Sequence, residues 1–369
     1  MKILHVHQGM SIGGVETHMV RLCHGLQQIG HETAVLTGGG RLEGRIEEIG
    51  ATLIKKTPRL DDLDAIAELV KAENFDIVHG HNYPIAGFSQ KLAEAIGGGY
   101  LMSVHGPRHP WQLVGFRAWS NPIVVFSEGD ARNIQSWGRV DASRVRLTSL
   151  CMDSARHRPI DNPQWPIEEE RETAPDGPFI VHVSRFANRK GKVGLALLEA
   201  LPRVRREIGE IVALFVGEGP LQNEIEAKIA ALNEAQGKVV ARMIGPRTDV
   251  EKWMNLGKCV VATATTATEA ISCGRPTIAA GRTGFFGLVK SENFEEGLKS
   301  CFADHGKPPA ALSANRLGDA LIQVLKNPGA QNDAAKLGEM VRAKYDEVSM
   351  ARWHETIYRE VLNTPKTSD

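Results

Sequence analysis

The absences in this sequence narrow its function before any motif is read. Lys plus Arg and Asp plus Glu both number 44 in the 369 residues, so no excess of one sign draws the chain to nucleic acid or an acidic membrane. Binding specificity must therefore be local. The five cysteines, Cys23, Cys151, Cys259, Cys273 and Cys301, are odd in number, far apart and without any C-x-x-C spacing. That pattern argues against a disulfide framework and a structural zinc site, and fits small core fillers in a reducing compartment. No apolar run reaches the ~18 residues of a spanning helix, and the opening MKILHVHQGMSIGG has too short an apolar run and too many histidines for a signal peptide. The expected location is the cytoplasm. A complete G-x-G-x-x-G is missing from both candidate phosphate turns, residues 9–14 and 217–220, which counts against a nicotinamide-dependent oxidoreductase.

What remains is an ordinary soluble composition, 42% hydrophobic and 24% charged, in a chain too long for one core, since single cores stop growing near ~250–300 residues. Short apolar runs alternate with amphipathic ones throughout, as parallel α/β sheets require. Two Rossmann-like domains are expected, residues 1–155 and 179–345. Between them the stretch 156–178, RHRPIDNPQWPIEEERETAPDGP, is rich in proline and charge, has no periodicity and reads as a linker.

Within the first forty or so residues the chain completes a βαβ unit, with strands at 2–7 and 33–37 and a helix presenting Val15, Met19, Leu22, Leu26 and Ile29 on one face. Gly13 and Gly14 at its first turn would let the backbone come close to a phosphate or sugar; a turn that simply needs positive φ is the plainer alternative. Asp61, Asp62 and Asp64 precede a periodic apolar run and read as a helix start rather than a metal motif. The strands expected at 75–79 and 100–104 run out at His79-Gly80-His81 and His105-Gly106-Pro107. Open α/β sheets bind ligands on the crest beyond the carboxyl ends of their strands, which makes His81 and His105 functional candidates. Arg108 and Trp111 follow in a loop whose cations and aromatics suit an acceptor cleft or a weak membrane contact, with a partly buried helix as the plain reading.

In the second half a strand at 179–183 leads into Ser184-Arg185-Phe186-Ala187-Asn188-Arg189-Lys190-Gly191. Arg185 and Lys190 bracket this loop, and paired cations there would neutralise a diphosphate and stabilise it as a leaving group. The stretch 260–287, VVATATTATEAISCGRPTIAAGRTGFFG, reads as strand, tight loop and helix, with Thr266 or Thr268 as N-cap and Glu269 just inside. The small residues before Glu269 would admit a phosphate at the helix start, and its carboxylate could accept hydrogen bonds from ribose hydroxyls. An acid that only complements the helix dipole is the competing reading.

Together, GGVETHMVRL near the start, SVHG at 103–106, SRFANRKG at 184–191, VGEGP at 216–220, Gly245 before an Asp-containing helix, and TEAISCGRPTIAAG at 268–281 resemble the retaining GT4 glycosyltransferases. The resemblance covers nearly the whole chain and implies a GT-B architecture. That is an α/β fold of two Rossmann-like domains with parallel sheets facing across a cleft, and with the helix at 346–369 returning to the first domain. It also implies a hexosyltransferase-type enzyme that takes its sugar from a nucleoside-diphosphate-sugar, with retention and without metal or other cofactor. The acceptor would be a glycan, a lipid-linked sugar or a small molecule. Carried over by motif, His105, Arg185 and Lys190 would be catalytic, and Gly13, Gly14, Gly217, Gly245, Thr268 and Glu269 would bind the donor. Acceptor-side candidates are His81, Arg108 and Trp111. One departure stands out: the position of the family's first glutamate, with seven residues between it and the second, is Val261 here, and GFFGLV comes later, at 284–289. A sugar-nucleotide-binding protein without turnover is therefore the alternative.

Overall fold

The computed structural model describes the chain except residues 12, 107–108, 114–120, 307 and 365–369. It divides into two compact units, Met1–Asp153 with Ala343–Asp369, and Ser154–Arg342. In the first, strands and helices alternate: β1 (Lys2–Val6), α1 (Gly14–Gln28), β2 (Glu32–Thr37), α2 (Glu43–Glu48), β3 (Thr52–Lys55), α3 (Leu63–Lys71), β4 (Ile77–His81), α4 (Ala86–Ile96), β5 (Gly99–Val104), α5 (Pro110–Leu113), β6 (Ile123–Val125), α6 (Glu128–Ser136) and β7 (Val145–Leu147). All pairs are parallel in the order β3-β2-β1-β4-β5-β6-β7, so the order reverses between β1 and β4. That reversal is the kind of switch point at which such sheets open a crevice.

The second unit repeats the plan with β8 (Phe179–Val183), α7 (Asn188–Ile208), β9 (Val212–Val216), α8 (Gln222–Gln236), β10 (Ala241–Gly245), α9 (Val250–Leu256), β11 (Gly257–Ala262), α10 (Ala264–Ser272), β12 (Thr277–Ala280), β13 (Phe285–Leu288), α11 (Phe294–Lys299) and α12 (Ala314–Lys326). Its order is β10-β9-β8-β11-β12-β13, with the switch between β8 and β11. Five strands are parallel, but β13 pairs antiparallel with β12, which departs from an all-parallel expectation. A short link allows this, because only antiparallel neighbours can be joined by a tight turn; Gly281 N–H bonds Gly284 O at 2.9 Å across it. The GFFGLV segment is thus an edge strand.

Central strands such as β9, VALFV, are buried at every residue and read as continuous apolar runs, as sheets covered on both faces do. Two final helices follow, α13 (Ala330–Tyr345) and α14 (Glu347–Asn363). Within the first unit, Ile357, Tyr358 and Val361 of α14 bury against Ile3, Leu22, Leu26, Ile77 and Leu101. The proline-rich stretch is fastened to the second unit: Trp165 is buried, meets Trp253 edge-on at 5.0 Å, and lies under the Arg242 guanidinium. The acids at 61–64 do begin a helix, through a 3-10 turn at Leu60–Asp62.

Two boundaries move in ways that matter for the site. β4 runs two residues past the expected end, so His81 lies inside the strand and is fully buried. Helix α10 starts at Ala264 with Thr263 as N-cap, not Thr266 or Thr268. Glu269 is therefore beyond the first turn, where the dipole effect has fallen away, which removes the simplest structural explanation for it.

Candidate functional site

The second unit gathers its candidates at the carboxyl ends of β8, β9, β10 and β11. After β8 the chain turns through Ser184 and exposed Arg185, and α7 begins at Asn188 with Lys190 in its first turn. This helix start is unusual: Ala187 offers no side-chain cap, no acid lies in the first turn, and Arg189 and Lys190 do. Cations beside the positive end of a helix dipole cost stability unless an anion joins them. Lys190 Nζ lies 3.0 Å from Asp304 Oδ2.

The turns after β9 and β10 lock into this loop. Gly217 N–H donates to Gly245 O at 2.8 Å, and Phe186 N–H to Glu218 O at 2.8 Å. Gly217 holds φ 139°, and a Cβ there would stand 1.9 Å from Ser184 O, so only glycine lets the two loops approach. Gly217 and Gly245 therefore shape the floor beneath Arg185.

At α10, the N–H groups of Ala264 and Ala267 already reach Cys301 O and Thr263 O, so a ligand at the helix start would meet Thr265 and Thr266. Thr268 is buried, with its hydroxyl 3.5 Å from Ala264 O, one turn deeper than expected. Glu269 is nearly buried too, and its Oε1 lies 3.7 Å from His157 Nε2. His157 comes from the proline-rich stretch and is anchored there by Ser272 Oγ–H donating to its carbonyl at 2.6 Å. No signal in the sequence pairs these two residues. Val261, where the resemblance expects an acid, is fully buried in β11 and accepts a bond from His182 through its carbonyl.

In the first unit, Gly13 caps α1 in an extended conformation, φ −159°, and Gly14 opens the helix. Neither has positive φ, so a special turn does not account for them. His105 follows β5, stacks on Phe126 with centroids 4.2 Å apart, and lies 3.5 Å from His81 Nδ1. His81 in turn meets His5 at 2.9 Å. His79 sits between Tyr358 and Ser103, with both contacts at 2.8 Å. The sequence reading picked out two of these histidines and missed His5 and His18, because their association depends on four separate elements. Trp111 belongs to α5, and Arg108 falls outside the described residues.

Burial pushes His5 down to about 3 and His354 to about 4, and holds His18, His79 and His81 well below the usual imidazole range. The rings are thus neutral, each with one donor and one acceptor nitrogen. Among the described residues, His5, His79 and His81 present ligand atoms within 4.8 Å of one another, a spacing that could hold a metal ion. The nitrogens of His79 and His81 and Nδ1 of His5 are engaged in the hydrogen bonds just given, while His5 Nε2 is buried without a hydrogen-bond partner.

A comparison with curated proteins finds no match. Solved structures that resemble the chain include a glycosyltransferase from Rickettsia africae, 19% identical, with a TM-score of 0.75 and 99% of each chain covered. Anabaena HepE in complex with UDP is 15% identical, with a TM-score of 0.77 over 98% of this chain and 100% of that one. Sucrose-phosphate synthase from Thermosynechococcus elongatus is 17% identical, with a TM-score of 0.70 over 99% and 100%. At these identities the likeness shows the fold, a GT-B-like two-domain architecture. Residues 12–156 match the profile of Glycosyltransferase Family 4 and residues 177–327 that of Glycosyl transferases group 1. With both units matched, the chain belongs to the group 1, or family 4, glycosyltransferases, which use nucleotide-sugar donors.

Proposed function

We propose that this glycosyltransferase transfers a hexose from a nucleoside-diphosphate-sugar with retention and without a metal ion. The observation that carries this reading is the α7 start, an uncapped, acid-free helix N-terminus with Arg185, Arg189 and Lys190 around it. Such a site fits the charge of a diphosphate leaving group, and supplies the positive charge that a divalent cation would otherwise bring. Arg185 and Lys190 stabilise the charge as the glycosidic bond to phosphate breaks. Gly217 and Gly245 let the backbone come close, and the N–H groups of Thr265 and Thr266 at the α10 start meet the phosphates, with buried Thr268 supporting that turn from within. Glu269, steadied by His157, accepts hydrogen bonds from the ribose hydroxyls. Gly13 and Gly14 contribute a close backbone approach in the first unit, and His105 donates to the reacting sugar.

The Anabaena relative holds UDP and UDP-glucose, which makes UDP-sugars the first donors to test. The acceptor is a glycan, a lipid-linked sugar or a small molecule. His81 supports His105 from beneath. No helix among the described residues is long and apolar enough to cross a membrane. Family membership displaces the oxidoreductase alternative. A thermal-shift screen against UDP-, GDP- and ADP-sugars tests the reading, since only a ligand of the folded state raises the midpoint. A binding protein without turnover, suggested by Val261, would give the same shift but release no nucleoside diphosphate.

A further inference from the structure

Beside the cationic loop lies a carboxylate that the sequence reading did not single out. Asp304 is 7% exposed, its Oδ2 pairs with Lys190 Nζ at 3.0 Å and lies 3.5 Å from His305 Nε2, and its Oδ1 has no hydrogen-bond partner. A buried acceptor left unpaired is costly, and a native structure usually keeps one only where something else will bond it.

The backbone that delivers Asp304 is itself abnormal. Cys301, Phe302 and Ala303 have φ of 46°, 50° and 67°, three successive non-glycine residues in the left-handed region. L-residues visit that region singly, so a run of three persists only where its surroundings impose it. Here the surroundings do so through both neighbouring strands. Thr263 Oγ1, just after β11, donates to Phe302 O at 2.8 Å, and Ala264 N–H to Cys301 O at 3.2 Å. Thr283, just after β12, donates to Ala303 O through its hydroxyl at 2.8 Å and its N–H at 3.0 Å. Arg282 Nε donates to Asp304 O at 3.3 Å. Phe302 anchors the turn from below against Phe294 and Phe286. All of this holds one acid at the carboxyl ends of β11 and β12, beside the lysine at the α7 start.

We infer that Asp304 recognises the donor's glycosyl group, its Oδ1 accepting a hydrogen bond from a sugar hydroxyl while Lys190 holds the adjoining phosphate. The inference rests on the donor-site reading above. Its chemical basis is complementarity: a nucleotide-sugar places anionic phosphate directly beside a ring of neutral hydroxyl donors, and the Lys190–Asp304 pair places a cation directly beside a carboxylate. The ammonium carries three N–H donors, so one bond to Asp304 leaves two for phosphate oxygens. Lys190 is also the more exposed partner, 28% against 10% for the two side chains, so its ammonium can meet a phosphate from the solvent side while staying beside the carboxylate. The same placement supplies an acid for the sugar in a chain whose Val261 supplies none.

The test compares a sugar nucleotide with its sugar-free counterpart, using calorimetry with UDP-glucose and UDP on wild type and Asp304→Asn, and the matching GDP and ADP pairs. We expect Asp304→Asn to bind UDP-glucose about tenfold to a hundredfold more weakly while UDP affinity is unchanged or rises. Equal losses for both ligands would mean that Asp304 only positions Lys190, and would overturn the inference. Unchanged affinity for both would overturn it as well, leaving the donor-site reading intact. Absence of binding by any of the six ligands to wild type would sink that reading and the inference with it. Should Asp304→Asn not fold, monodeoxy glucosyl donors on the wild-type protein replace it. One missing hydroxyl should then cost the same factor, and a flat deoxy series would contradict the assignment.

Discussion

His157 and Glu269 face each other at 3.7 Å in the second unit, with 2% and 12% of their side chains exposed. The histidine comes from the proline-rich stretch and the acid from the middle of α10, so the pairing exists only once that stretch has folded onto the unit. This placement separates Glu269 from the role of an ordinary helix-start acid.

If Glu269 accepts bonds from both ribose hydroxyls, Glu269→Gln should weaken donor binding by about tenfold to a hundredfold, or roughly 1–3 kcal/mol. The wild type should discriminate strongly against 2′-deoxy and 3′-deoxy donors, and the variant much less. Affinities for the ribo and deoxy donors, measured on both proteins, decide the matter. Equal ribo-to-deoxy ratios would show that the carboxylate does not touch the ribose.

Removing either cation should slow transfer without unfolding the protein. Arg185→Ala or Lys190→Ala should each lower turnover by an order of magnitude or more, on the scale of the ~2–4 kcal/mol attributed to electrostatic donors at a developing charge. The Lys190 change also takes the ammonium from buried Asp304 and leaves His305 Nε2 at 3.5 Å from its Oδ2, so its thermal midpoint should be recorded alongside the rate. Unaltered turnover of a hydrolysable donor in both variants would remove the leaving-group role.

Gly217→Ala should destabilise the second unit. Its new Cβ would meet Ser184 O at 1.9 Å with φ held at 139°, and neither partner is a flexible side chain that could move aside. Backbone strain and a steric clash together predict a loss of about 2–4 kcal/mol. Urea denaturation monitored by tryptophan fluorescence would report it; a midpoint like that of wild type would mean that the β8 and β9 loops separate easily.

Six of the buried histidines among the described residues set the acid limit of the fold. Burial holds His5 at about 3, His182 and His354 at about 4, and His18, His79 and His81 well below their ordinary value. Below pH ~6.5 the unfolded chain takes up protons that the folded chain refuses, so stability rises with pH and is lost as pH falls from 6.5 towards 4. Each such histidine adds a slope approaching about 1.4 kcal/mol per pH unit. Urea midpoints should fall steeply between pH 7 and 5.5, a window above the range in which carboxylates titrate. A flat profile there would contradict a neutral, buried cluster.

Much of this was legible in the sequence, and the exceptions share a cause. Strands such as β8 and β9 announce themselves by continuous apolar runs, and Arg185 and Lys190 stand out because two cations bracket the loop at a strand end. The extension of β4 through His81 does not, because a buried histidine looks polar until its partner His5 is known. The start of α10 falls earlier than expected because four threonines compete as caps, and the one used, Thr263, spends its hydroxyl on Phe302 O instead. Asp304 was invisible for a deeper reason. The turn that delivers it contains none of the glycines or asparagines that mark left-handed backbone, and its conformation is imposed by Thr263, Thr283 and Arg282 from other strands.

The central claim is metal-independent transfer from a nucleoside-diphosphate-sugar. It is tested most directly by measuring nucleoside diphosphate release from UDP-, GDP- and ADP-sugars in EDTA, with NMR assignment of the anomer formed. The account predicts release from one donor class, a product that keeps the donor's anomeric configuration, and loss of both with Arg185→Ala. Saturable donor binding with no release, or release only when Mg²⁺ is added, would contradict it.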